Sequence, residues 1–114
     1  MDLEILKKLN EELAAGHPAV LATVIKTSGS APRKAGAQML IYENKSIFGT
    51  VGGGRAEANA IEKAGWAFES RRSAVISMDL NASVAAQEGM ACGGAMEIFI
   101  QYIAAEAGSD QAGD

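Results

Sequence analysis

The chain has little of what a disulfide-bonded, zinc-binding or membrane-spanning protein needs. Its 114 residues include one cysteine and one histidine. A lone cysteine cannot close a disulfide within the chain, and with one histidine it cannot supply the ligands of an ordinary zinc site. No stretch approaches the ~18 consecutive apolar residues of a membrane-spanning helix. The first residues lack the apolar segment of a signal peptide, so we expect a cytoplasmic protein.

Positive charge is also scarce. The 10 lysines and arginines are outnumbered by 14 aspartates and glutamates, and the formal net charge is −4. Because nucleic acids and anionic membranes repel a protein of this charge, we expect the chain to bind neither. Its length is typical of one domain, and an apolar content of 48% is sufficient for one ordinary core.

Hydrophobic periodicity predicts two helices. Leucines recur at helical spacing from Leu3 to Leu13 beside a charged face, and Asp2 stands where an N-cap residue belongs. A second helical period extends over about residues 55–70, after a run of three glycines. Both segments have one apolar side, so we expect each helix to pack on a sheet.

Five apolar or alternating runs predict β-strands. They span residues 19–27, 37–42, 46–48, 74–78 and 95–103. A tight turn at residues 43–45 joins the second and third runs into a hairpin. We therefore predict an α/β fold at the border of α+β, with a mixed five-stranded sheet that contains a hairpin and is flanked by the two helices.

The domain organisation follows from the same pattern. Residues 1–104 form a single predicted domain, with a loop and a short helix over about residues 81–88. Residues 105–114 are small and polar, and they lack the apolar groups that would offset the entropy of ordering. They are predicted to form a disordered tail.

Three glycine-dense segments interrupt the apolar chain, each beside a predicted strand. They span residues 28–36, 49–57 and 89–94. Glycine lets backbone N–H groups turn outward and approach a ligand closely. Arg33 in the first segment and Arg55 in the second add guanidinium groups. Amides and guanidinium groups together indicate a bound anion, most often a phosphate.

The strongest local signal is Gly52-Gly53-Gly54 between a strand and a helix. It places N–H groups at the positive end of the helix dipole, where charge-assisted bonds from Arg55 would add ~1.5–3 kcal/mol. It is not a P-loop, and Glu57 stands where a Rossmann fingerprint has its third glycine. The structural alternative is a tight turn that needs positive φ, with Glu57 favoured there by the dipole.

The other two segments carry the remaining candidate side chains. Ser30 and Arg33 lie in a loop that Pro32 stiffens, beyond the end of a buried strand where open sheets bind ligands, although a solvated loop is the alternative. Glycines such as Gly93 flank Cys92 and favour exposure of its thiol. A thiolate there could bind a soft metal or carry sulfur, whereas a buried, inert thiol is the alternative.

Four motifs follow one another along the chain. They are Ser28-Gly29-Ser30-Ala31-Pro32-Arg33, Gly36-Ala37-Gln38-Met39, Gly49-Thr50-Val51-Gly52-Gly53-Gly54-Arg55-Ala56-Glu57 and Cys92-Gly93-Gly94-Ala95-Met96-Glu97-Ile98. In this order, over about residues 5–103, they resemble the N-terminal domain of the XdhC/CoxI family. Proteins of that family are molybdenum-cofactor-binding chaperones that mature xanthine dehydrogenase-like and CO dehydrogenase-like hydroxylases.

The resemblance implies a cofactor chaperone rather than an enzyme, with no catalytic residue. A transiently bound molybdenum cofactor (molybdopterin) would contact Ser30, Arg33, Gly52, Gly53, Gly54, Arg55, Glu57, Cys92 and Gly93. Cys92 would be the contact to molybdenum or its sulfur. The implied partners are the apo-form of a molybdenum hydroxylase and a second copy of the chain. Family members usually continue into a Rossmann-like domain, which a separate chain could supply.

Two alternatives remain open at the level of sequence. The first alternative is a dinucleotide-binding oxidoreductase module. It would fit a strand followed by Gly52-x-Gly54, a helix and a second strand that ends at Asp79. A non-catalytic interaction subunit of a molybdenum enzyme is the other, because exposed apolar edges would favour association.

Overall fold

Two helices and five strands make up the fold. The computed structural model describes residues 2–29, 34–79 and 94–105. In chain order the elements are α1 (Leu3–Ala14), β1 (Ala19–Gly29), β2 (Gln38–Ile41), β3 (Ile47–Gly49), α2 (Gly54–Ser70), β4 (Ala74–Asp79) and β5 (Gly94–Ile103). The helix predicted within 81–88 and most of the tail predicted over 105–114 lie outside the described residues.

The five strands form one sheet in the order β3-β2-β1-β5-β4. The predicted five-stranded sheet with a hairpin is confirmed. Every pairing is antiparallel, however, and not the expected mixture of parallel and antiparallel. The reason is that β1–β2, β2–β3 and β4–β5 are neighbours both in sequence and in the sheet, while α2 carries the chain to the far edge, where β4 pairs with β5.

The first helix covers one face of the sheet. Asp2 accepts a hydrogen bond from the backbone N–H of Glu4 at 2.9 Å, so it caps α1 as predicted. Three apolar side chains of α1 pack on strand residues such as Leu21 and Leu40; they are Ile5, Leu9 and Leu13. Since side chains alternate along a strand, the neighbours of Leu21 and Leu40 point to the opposite face.

The second helix covers that opposite face with alanine. Its buried residues are Ala56, Ala60, Ala64 and Ala67. They share a core cluster with Val24, Met39 and Ile98 of the three central strands. Small side chains let the helix lie close to the sheet, and a larger residue would overpack the contact. Among the described residues, neither helix combines the length and apolarity that a bilayer crossing requires.

The glycine that ends β3 allows a prediction about packing. Gly49 has φ of +91°, and a Cβ there would lie 2.7 Å from the carbonyl oxygen of Gln38 and 3.0 Å from Cδ1 of Ile5. Gly36 has a similar φ of +99°, but a Cβ there would meet nothing within 4 Å. Both Gly→Ala changes cost backbone strain of ~1–2 kcal/mol. We expect Gly49→Ala to lose a further ~1–3 kcal/mol because the β2–β3 pair and α1 must move apart.

Urea unfolding of both variants and the parent protein measures this difference, with Gly36→Ala as the matched control for φ. Equal unfolding midpoints for the two variants would show that the close approach at Gly49 contributes nothing to the difference in the free energy of unfolding.

Candidate functional site

The turn between β3 and α2 explains why three glycines stand in a row. Gly52, Gly53 and Gly54 have φ of +126°, +76° and +52°, conformations that side chains rarely adopt. Gly53 is the N-cap residue of α2. The tight strand-to-helix turn that the sequence offered as an alternative to a ligand role is therefore present, and by itself it accounts for the glycines.

A carboxylate of the chain itself binds this turn. Oε2 of Glu57 accepts the backbone N–H of Gly53 at 3.0 Å and also the hydroxyl of Thr50. Oγ1 of Thr50 in turn accepts the N–H of Gly52 at 3.0 Å. Thr50 and Glu57 therefore hold the N–H groups of the first two glycines, and place a negative charge where the helix dipole favours one.

Two further backbone N–H groups, those of Gly54 and Arg55, lie at the start of α2. Within the part of the chain that the structure describes, the N–H groups of Gly54 and Arg55 have no acceptor, as is usual in the first turn of a helix. The Arg55 side chain is exposed and makes no ion pair with a described acidic residue. An anion at this turn would bind these groups, beside the carboxylate of Glu57.

A pocket of about 280 Å³ adjoins the turn on the α1 side of the sheet. Its lining comprises Asp2, Ile5, Gly36, Ala37, Gln38, Gly49 and Thr50. Thr50 therefore connects the pocket with the hydrogen bonds of Glu57. Gly36 in the wall leaves the backbone open to a ligand, because a Cβ there would meet nothing within 4 Å.

Gln38, which lines this pocket, has a side-chain oxygen that is closed to solvent and lacks a partner. Its Nε2 donates to Oγ1 of Thr23 at 3.2 Å, whereas its buried Oε1 has no hydrogen-bond partner among the described residues. A buried acceptor without a donor costs ~1–3 kcal/mol, and a ligand donor would offset that cost once the Gln38 side chain turned to expose Oε1. Gln38 belongs to the Gly36-Ala37-Gln38-Met39 motif, but the sequence alone predicted no role for it. The available signal was a polar residue that opens an otherwise apolar strand.

Four of the predicted site residues lie outside the described residues: Ser30, Arg33, Cys92 and Gly93. The strands that lead to their loops are described, and Gly29 at the end of β1 pairs with Gly94 at the start of β5. The first and third glycine segments therefore leave the sheet from adjacent positions. Whether they approach the turn at Gly52–Gly54 stays a prediction.

A second pocket, of about 380 Å³, lies beside these strand ends. Its polar lining includes Lys26, Glu97 and Ser77, which stand side by side on three neighbouring strands. The lining has charges of both signs, so it favours neither a simple anion nor a simple cation. Within residues 2–29, 34–79 and 94–105, no three His, Cys, Asp or Glu side chains are close enough together to hold a metal ion.

The sheet order bears on the dinucleotide alternative. A Rossmann unit needs two neighbouring parallel strands joined by the helix that follows the glycine turn. Here α2 joins β3 to β4, and these strands lie at opposite edges of the sheet. The Gly52-x-Gly54 turn and Asp79 therefore do not belong to a dinucleotide-binding βαβ unit.

The Glu57 network generates a prediction about stability. Glu57→Gln keeps the shape of the side chain but removes its charge from the N-terminus of α2. We expect the free energy of unfolding to fall by ~1–2 kcal/mol, because charge-assisted hydrogen bonds and the dipole contribution are both reduced. Glu62→Gln is the control, since Glu62 is exposed on the same helix. Denaturant unfolding at neutral pH compares the two variants with the parent protein. An equal decrease in the free energy of unfolding in both variants would contradict a capping role for Glu57.

Comparison with known proteins places the chain in a family. A model of the XdhC and CoxI family matches residues 12–79. The uncharacterized protein YqeB of Escherichia coli (strain K12) is 37% identical over 83 residues, which make up 73% of this chain and 15% of YqeB. The crystal structure of a xanthine dehydrogenase from Bacillus halodurans superposes with a TM-score of 0.66 at 27% identity, covering 83% of this chain and 29% of that one.

This chain thus spans less than a third of either relative. The family match, by contrast, covers more than half of this chain and includes the turn at Gly52–Gly54 with Thr50 and Glu57. It confirms the resemblance that the order of the glycine motifs indicated: the protein belongs to the XdhC and CoxI family.

Proposed function

We propose that this chain binds the molybdenum cofactor and serves the maturation of a xanthine dehydrogenase-type molybdenum enzyme. Membership of the XdhC and CoxI family supports the proposal, as does the similarity to the solved structure of a xanthine dehydrogenase from Bacillus halodurans. The structural observation that carries it is the start of α2. There, the N–H groups of Gly54 and Arg55 have no acceptor in the described part of the chain and the Arg55 guanidinium is exposed, close to a pocket that Thr50 and Gln38 line.

The phosphate of the cofactor would bind at the first turn of α2. Gly54 and Arg55 supply backbone N–H groups there, and Arg55 adds a guanidinium. Gly52 and Gly53 would support the turn, because Thr50 and Glu57 already bind their amides. The repulsion between Glu57 and a phosphate would keep the affinity moderate, which suits a protein that must release its ligand.

The pterin ring would bind at the pocket beside Thr50. A pterin has N–H donors along one edge, and Oε1 of Gln38 is a buried acceptor without a donor that a turn of the Gln38 side chain would bring into the pocket. The two groups are complementary in hydrogen bonding. The backbone at Gly36 presents no side chain to a flat ring in that wall.

When bound, the cofactor supplies the redox centre that the client hydroxylase uses. The residues of this chain would bind, orient and shield it without forming or breaking a covalent bond. Ser30, Arg33, Cys92 and Gly93 complete the proposed site, on the strength of the family resemblance. Cys92 would lie near the molybdenum or its sulfur.

Loss of the arginines should weaken cofactor binding. A charge-assisted contact contributes ~1.5–3 kcal/mol, so Arg55→Ala and Arg33→Ala should each weaken binding of isolated molybdopterin about 10- to 150-fold. Arg72→Ala is the control, because Arg72 is exposed beyond the other end of α2. An anaerobic titration that is monitored by pterin fluorescence measures the affinity of all three variants. Parent-like affinity of both arginine variants would contradict the phosphate site, and co-purification with a molybdenum enzyme without any pterin binding would favour an interaction subunit.

Gln38→Met should separate ligand binding from folding. The change removes the unpartnered acceptor together with one hydrogen bond to Thr23, so the free energy of unfolding should stay within ~1 kcal/mol of the parent value. Molybdopterin affinity should fall several-fold, because the pterin N–H groups lose their acceptor. Urea unfolding and the same fluorescence titration check both parts. Unchanged affinity in a stably folded variant would exclude Gln38 from the site.

A further inference from the structure

The charges beside the glycine turn are mostly negative. The carboxylate of Glu57 is held on the turn by the backbone N–H of Gly53 at 3.0 Å and by the hydroxyl of Thr50. A second carboxylate, that of Asp2, lines the same pocket as Thr50. Among the described side chains of the turn and this pocket, the guanidinium of Arg55 is the single positive group. An anion that binds here therefore meets two carboxylates and one guanidinium.

The carboxylate of Glu57 lies close to the amides on which a phosphate would bind. It accepts the N–H of Gly53, and the N–H groups without an acceptor belong to the next two residues, Gly54 and Arg55. Consecutive Cα atoms are ~3.8 Å apart, so about 4–8 Å would separate the carboxylate from the phosphate. This separation does not exceed the Debye length of ~8 Å at physiological ionic strength, so salt screens the repulsion only in part.

The repulsion depends on how many charges the phosphate carries. A phosphate with one ester bond carries close to two negative charges at neutral pH, because its second pKa is about 6, whereas a phosphate with two ester bonds carries one. The second charge doubles the repulsion from Glu57 and Asp2 and doubles the attraction to Arg55. It also raises the cost of removing the phosphate from water. One guanidinium does not offset two carboxylates and this additional cost.

We propose that Glu57 makes this site select a phosphate with a single negative charge, which is a phosphate esterified on two sides; the inference rests on the proposed function. The preferred ligand is then one whose phosphate joins the ring system to a further group, rather than one that ends in its phosphate. The selection acts through charge. The isosteric change Glu57→Gln should therefore remove it, although a glutamine oxygen still accepts the hydrogen bonds of Gly53 and Thr50.

Two small phosphates that differ by one charge test this selection. Phenyl phosphate carries two charges at about pH 8, and methyl phenyl phosphate carries one. The backbone amide signals of Gly54 and Arg55 in ¹⁵N-labelled protein measure both affinities at the turn. The parent protein should bind methyl phenyl phosphate more tightly. In Glu57→Gln the ratio of affinities should shift toward phenyl phosphate by about 3- to 100-fold, the range for one unit charge at ~6 Å. Glu62→Gln, at an exposed position of the same helix, should keep the parent ratio.

A pH series on the parent protein gives a second measurement, which needs no folded variant. The affinity for phenyl phosphate should rise severalfold from about pH 8 to about pH 5.5, because its second charge is lost near pH 6. Methyl phenyl phosphate keeps its charge and corrects for any titration of the protein. A parent preference for phenyl phosphate at about pH 8, or an unchanged ratio in folded Glu57→Gln, would overturn the selection but leave the phosphate site intact. If neither ester shifted the two amide signals, the phosphate site of the proposed function would fail as well.

Discussion

The bond between the carboxylate of Glu57 and the backbone of the glycine turn is the interaction on which the candidate site depends. It fixes where α2 begins, and through Thr50 it reaches the wall of the neighbouring pocket. Without this bond, a turn of three positive-φ glycines could adopt many conformations. The same bond decides which amides remain for a ligand, because it occupies that of Gly53 and leaves those of Gly54 and Arg55.

The two faces of the sheet serve the site differently. On one face α1 packs over β1 and β2, and its first residues form part of the pocket that contains Gln38. On the other face, the N-terminus of α2 follows the end of β3, which pairs with the start of β2. The chain passes from one face to the other at Gly49 and Thr50, which explains why a short segment carries both close packing and the polar network.

The sequence predicts the elements well because their signals are local. Each predicted helix and strand that falls on described residues agrees with the structure to within two residues at either end, and Asp2 caps α1 as its position suggested. The pairing direction of β4 was not predictable in this way, since it depends on how α2 crosses the sheet. The bond of Glu57 to Gly53 and the unpartnered oxygen of Gln38 are also properties of three-dimensional neighbours. The glycine motifs identified the right turn, but predicting which of its residues can bind a ligand requires the three-dimensional contacts.

The alanine face of α2 has a consequence for how the sequence can vary. Alanine has no rotamers to lose on burial, so this helix contact forms with little side-chain entropy cost. Its energy comes from many weak dispersion contacts between the closely spaced backbones of helix and sheet. Homologous sequences should therefore accept only glycine, serine or cysteine at Ala56, Ala60, Ala64 and Ala67, and their diversity should be concentrated on the outer side of the helix.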